Sequence, residues 1–226
     1  MKRYGAVVFD WDGTVMDSTH SIVSAIQSAC ADLELPIPSV ENASWVIGLS
    51  LQSALYHAVP TLTAEKMPLF LERYRFHFLL RDPEIKLFDG IFQLFGGLKA
   101  RRILLGVATG KSRVGLDRAL NSMQLLDTFA ITRCADESFS KPHPGMLLEI
   151  MEELNLQPEQ ILMVGDTSHD IQMAHNAGVD SLAVTYGAHD RQTLLAAEPA
   201  FMVSSVEEMQ AWLQDRVQAI GRPSYI

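Results

Sequence analysis

Cysteine is nearly missing from this chain, with only Cys30 and Cys134 in 226 residues. Two thiols so far apart exclude a disulfide framework and a cysteine-ligated zinc site, which need several at close spacing. Long apolar runs are missing too, and no stretch approaches the roughly 20 residues of a membrane helix. The amino end, Met1-Lys2-Arg3-Tyr4, leads into an apolar run of about six residues, too short for the core of a secretory signal. Positive charge is scarce: 18 Lys and Arg stand against 27 Asp and Glu, a formal net charge of -9. That balance argues against partners such as nucleic acid or an anionic membrane. It leaves small anionic substrates open, because a metal or a few basic groups reverse a local field. Repeats and low-complexity tracts are absent. What remains is 48% apolar and 20% charged, the composition of a globular protein with a proper core. A reducing cytoplasm is the expected compartment.

The first apolar run, Ala6-Val7-Val8-Phe9, has no polar alternation and reads as a strand buried on both faces. Residues 17–80 then show helical spacing throughout. Ile22, Val23, Ile26, Ala29, Cys30 and Leu33 mark one helix, with shorter pieces near 43–47 and 51–59. A longer helix spans about 64–80, with Met67, Phe70, Leu71, Tyr74, His77 and Phe78 expected on its buried face. From Phe88 onward helices and strands alternate. Strands are expected at 103–108, near 129–131, at 161–164 and at 181–184, with helices between them and one more after Val206. Such alternation specifies α/β architecture, a Rossmann-like doubly wound parallel sheet. The helical stretch is expected to be inserted into it, giving a core of residues 1–15 and 85–226 and a helical unit of 16–84. The last six residues read as loose.

Ligands of such a sheet bind beyond the carboxyl ends of its strands, so the residues that end each strand should form one set. The first strand delivers Asp10 and Asp12, two like charges that call for a cation or a shared proton. The second delivers Thr109, Gly110, Lys111 and Ser112 at a helix start, where free amides suit phosphate; plain capping by Thr109 and Ser112 is the alternative. After the third comes Lys141, held between Ser140 and Pro142. The fourth delivers Asp166, with Asp170 one helical turn later. Oxygen ligands without histidine or cysteine favour Mg2+. A carboxylate beside it can attack phosphorus, and a second acid can pass the proton.

The motifs DWDGTVMDS, ATGK, KPHP and GDTSHD, in that order, resemble the haloacid dehalogenase superfamily of phosphatases. The VTYG run at 184–187 is similar to its phosphoglycolate phosphatase-like branch. The resemblance covers essentially the whole chain and implies a small helical cap at 16–84. It implies that Asp10 is the nucleophile, that Asp12 is the general acid and base, and that Lys141 steadies both nucleophile and phosphoryl group. It implies magnesium at the Asp10 carboxylate, the Asp12 backbone carbonyl and Asp166, with Asp170 as ligand or orienter, and phosphate at Thr109 and Gly110. Many relatives carry Asn where this chain has Gly110. The expected function is magnesium-dependent hydrolysis of a small phosphorylated metabolite by a monomer or homodimer, without nucleic acid or membrane. A phosphosugar mutase, a nucleotide or pyrophosphate phosphatase, and a non-enzymatic binding protein are the rivals. Lys111 either reaches substrate or faces solvent. Arg73, Arg75 and Arg81 are expected on a solvated helix face, contact with a substrate carboxylate being the alternative, and Trp11 is expected in the core.

Overall fold

The computed structural model describes residues 3–219; the loose tail expected over the last six residues lies outside them. Six parallel strands form one sheet in the order β3-β2-β1-β4-β5-β6. They are β1 (Ala6–Phe9), β2 (Leu104–Thr109), β3 (Ile131–Cys134), β4 (Ile161–Gly165), β5 (Asp180–Val184) and β6 (Phe201–Val203). Every residue of β1 and β4 is buried, as their unbroken apolar runs require when helices cover both faces. β1 lies at the centre, with Phe9 in register with Val107 on one side and Val164 on the other. The strand order changes direction there, so the carboxyl ends of β1, β2 and β4 open onto one crevice. The α/β, Rossmann-like expectation holds.

Between β1 and β2 come α1 (Thr19–Asp32), α2 (Val40–Trp45), α3 (Leu51–Ala58) and α4 (Met67–Arg81), with no strand among them. α1 buries Ile22, Val23, Ala25, Ile26, Ala29 and Cys30 and packs on α4. On α4 only Met67, Phe70 and Phe78 are fully buried; Leu71, Tyr74 and His77, expected with them, are half-buried. The segment leaves and rejoins the sheet side by side. Asp17 N donates to Lys86 O at 2.9 Å and Phe88 N to Val15 O at 3.1 Å.

The remaining helices are α5 (Ile91–Ala100), α6 (Arg113–Ser122), α7 (Gly145–Leu154), α8 (Ser168–Ala177), α9 (Arg191–Ala196) and α10 (Val206–Leu213). Two features differ from expectation. β3 begins at Ile131 rather than ending there, because Phe129 serves the core, edge-on to Trp11 and Phe95 at 6.0 and 5.3 Å. α9 and β6 have no counterpart in the sequence reading; β6 is a three-residue edge strand with one buried residue. Among the described residues no helix is long and apolar enough to cross a membrane.

Candidate active site

Because β1 and β4 are neighbours in register, the residues that follow them, Asp10 and Asp166, emerge side by side. Asp10 N donates back to Val164 O at 2.9 Å, tying the two strand ends together. The chain then turns at Gly13, whose φ of +81° suits glycine and whose missing Cβ leaves room for the Asp166 carboxylate. Asp166 accepts from Thr14 Oγ1 and from Ala188 N, both at 2.7 Å, so each oxygen has a fixed direction.

Thr167 caps α8, and Asp170 completes a capping box by accepting from Thr167 N at 3.1 Å and Thr167 Oγ1 at 2.7 Å. The box uses Oδ2 of Asp170 and turns Oδ1 toward Lys141. Capping and site-building are therefore one arrangement. Lys141 Nζ lies 2.7 Å from Asp170 Oδ1 and 2.8 Å from Asp10 Oδ1, and all three side chains are essentially sealed from solvent.

One ammonium does not balance three buried carboxylates. Burial pushes Asp10 up to about 7; Asp170 and Asp12 add to the rise and Lys141 opposes it. Burial likewise drives Asp166 well above the carboxylate range, with Asp10 and Asp170 adding to it. For Lys141, burial alone would lower the pKa, but the two carboxylates outweigh it and keep the ammonium charged. Asp10, Asp166 and Asp170 can each offer an oxygen within 4.8 Å of the others. Asp10 Oδ2 is buried with no hydrogen-bond partner in the protein. Three oxygen donors, an excess of negative charge and an unpartnered carboxylate oxygen fit a hard divalent cation such as magnesium.

The Asp12 carboxylate turns away from this cluster, as the bend at Gly13 allows. It accepts from Ser18 Oγ at 2.6 Å and takes Lys111 Nζ on both oxygens at 2.8 Å. Lys111 thus neither faces solvent nor stands free. Thr109 is buried at the end of β2, and its hydroxyl accepts from Lys111 N at 3.2 Å. Ser112 caps α6 by accepting from Gly115 N. Trp11 lies wholly in the core. Arg73 pairs with Asp32 and Arg81 donates to His77 O, both partners lying in the helical segment.

The helical segment closes on these residues. Ser50 N donates to Ser140 Oγ at 2.8 Å. The Trp45 carbonyl accepts from His169 Nε2 at 2.9 Å and His189 Nε2 at 3.0 Å, and His189 Nδ1 accepts from Ser168 N. Burial lowers both imidazole pKa values, which keeps them neutral for these bonds. No spacing rule in the sequence points to Trp45 and His189. Gly110 lies directly under the loop after α2: a Cβ there would overlap the carbonyl oxygens of Gly48 and Leu49. This accounts for glycine where asparagine is expected. Gly110→Asn should displace that loop, lowering stability by about 1–3 kcal/mol as overpacking does and raising KM for substrate. Wild-type melting and KM in the variant would show that the loop yields freely.

Comparison with known proteins agrees with the motifs. The family model for haloacid dehalogenase-like hydrolase matches residues 7–184. A Dickeya dadantii protein named "Probable phosphatase IndB" is 34% identical over 209 residues, covering 90% of each chain. The phosphoglycolate phosphatase of Escherichia coli K12 is 26% identical over 226 residues, again covering 90% of each. A hydrolase from Pseudomonas syringae shares the fold with a TM-score of 0.85 at 20% identity, over 94% of this chain and 99% of that one. The chain belongs to the haloacid dehalogenase-like hydrolase family.

Proposed function

We propose that this hydrolase is a magnesium-dependent phosphatase of small phosphomonoesters, phosphoglycolate-like in substrate, working through an aspartyl-phosphate on Asp10. The observation that supports it most is the buried group of Asp10, Asp166, Asp170 and Lys141 at the carboxyl ends of β1 and β4. Relatives named phosphatase and phosphoglycolate phosphatase support this choice of substrate class.

Asp10 attacks phosphorus; a bond forms to its carboxylate oxygen as the bond to the leaving alcohol oxygen breaks. Asp12 gives the leaving oxygen its proton, then takes one from the water that releases inorganic phosphate and regenerates Asp10. Lys141 holds one Asp10 oxygen in place and meets charge on the transferring group, together with the Thr109 hydroxyl and the Gly110 backbone amide. The Asp10 carboxylate, the Asp12 carbonyl, Asp166 and Asp170 would hold the magnesium ion. When bound, that ion supplies charge neutralisation between the acids and the phosphoryl oxygens.

Residues 16–84 act as a cap over the core of 1–15 and 85–226, moving on the paired segments around Asp17 and Lys86. The bonds from His169, His189 and Ser140 to the helical segment hold it shut, which excludes water from the intermediate. A screen of phosphorylated metabolites with magnesium, repeated in EDTA, tests the proposal. Release of inorganic phosphate from short phosphomonoesters, abolished by EDTA, is the expected result. No metal-dependent release across the panel would overturn it.

A further inference from the structure

The side chain of Asp12 is already fully engaged: Lys111 holds both its oxygens and Ser18 holds one. A leaving-group oxygen that reaches Asp12 competes with Lys111 for it. The ammonium is itself confined. Only 12% of the Lys111 side chain is exposed, and the Phe78 ring of α4 covers it at 5.1 Å, with Tyr74 stacked on Phe78 at 6.1 Å. Two other cations nearby have carboxylate partners of their own, and one of them, Arg118, also lies over the Phe78 ring at 5.9 Å. Lys141 is enclosed between Asp10 and Asp170, and Arg118 pairs with Asp82. A group bound at Asp12 therefore lies beside Lys111 and close to the Phe78 ring.

We propose that Lys111 is the specificity residue of this site, surrendering Asp12 only to a leaving group that carries its own carboxylate. The inference rests on the phosphatase reading above. A carboxylate on the leaving alcohol gives the ammonium a replacement partner of the same charge and geometry, so the exchange conserves the ion pair. The freed Asp12 takes up a proton from solvent and hands it to the leaving oxygen. A neutral leaving group offers no such partner; it must either strip a partly buried ammonium of its counter-charge or leave Asp12 blocked, and both are unfavourable. The preferred substrate is thus a phosphorylated short hydroxy acid, chosen by charge rather than by size.

The test compares kcat/KM for 2-phosphoglycolate and for 2-hydroxyethyl phosphate, which has the same length but no carboxylate. Wild-type enzyme should favour the carboxylate by about 10- to 100-fold, the range of one charge-assisted hydrogen bond. Lys111→Met should bring the ratio close to one, chiefly by raising KM for 2-phosphoglycolate, while Lys111→Arg should keep most of the preference. A lysine that merely balances the charge of Asp12 would lower both substrates together and leave the ratio unchanged; that result overturns the inference. So does a wild-type enzyme that treats the two esters alike, or one that hydrolyses neither but turns over other phosphomonoesters. Failure on every phosphomonoester overturns the underlying phosphatase reading as well. A melting curve of Lys111→Met matching that of wild type makes the ratio a statement about the site and not about folding.

Discussion

Asp10→Asn should lower phosphomonoester hydrolysis by roughly a thousandfold or more, because the bond to phosphorus has no oxygen anion to form from. The same substitution should make the metal-free protein more stable at neutral and higher pH. Burial, with Asp170 and Asp12 adding, holds the Asp10 carboxyl up to about 7 in the folded chain. The unfolded chain releases that proton near 4. Between those values the folded state binds more protons than the unfolded state, so stability falls as pH rises. Asparagine has no proton to lose and loses that slope. In EDTA the variant should therefore melt above wild type at pH 8, by up to about 4 kcal/mol, and converge with it near pH 4. Magnesium should reverse the order at pH 8, since only the carboxylate gains from the cation. Normal turnover in Asp10→Asn would remove the nucleophile assignment. A pH-independent gap between the melting curves would remove the electrostatic account of the site.

The second large effect concerns Lys141. Lys141→Met keeps the length of the side chain but leaves Asp10 and Asp170, both sealed from solvent, without their shared ammonium. Removing one partner of a buried ion pair costs about 3–5 kcal/mol, and denaturant midpoints in EDTA should fall accordingly. Magnesium should recover part of that loss by offsetting the same carboxylates. It should not recover activity, because Asp10 loses the group that fixes one of its oxygens. A midpoint equal to that of wild type would mean that the carboxylates share protons well enough to do without the lysine.

Much of this site was legible because the sheet imposes it. A buried run such as Ala6–Phe9 has one place to go, the middle of a parallel sheet, and strand ends of one parallel sheet meet. Asp10, Thr109 and Asp166 could thus be grouped from sequence order alone. The pairing of Asp12 with Lys111 could not, since no local period relates residues in different strand-end loops. Nor could the seating of Trp45 on His169 and His189, which depends on how a helical segment settles over the sheet. Phe129 misled because apolarity marks burial and not strand: its ring fills the space beside Trp11 and Phe95. β6 escaped notice because Phe201 and Met202 are not buried, and an edge strand that short carries almost no pattern.

The central place of β1 also decides when this enzyme can first exist during synthesis. Ala6 pairs with Leu104 and Ile161, so the strand that leads into Asp10 emerges before both of its partners and completes its pairing late. Helices α1 and α4 can associate earlier from contacts closer in sequence, but contacts of long loop closure form slowly. A nascent chain that ends before β4 holds Asp10 on an unfinished sheet edge, without Asp166 or Asp170 beside it. Ribosome-bound chains truncated before Ile161 should thus expose β1 to proteases, and protection should arise in one step once β4 and α8 have cleared the exit tunnel.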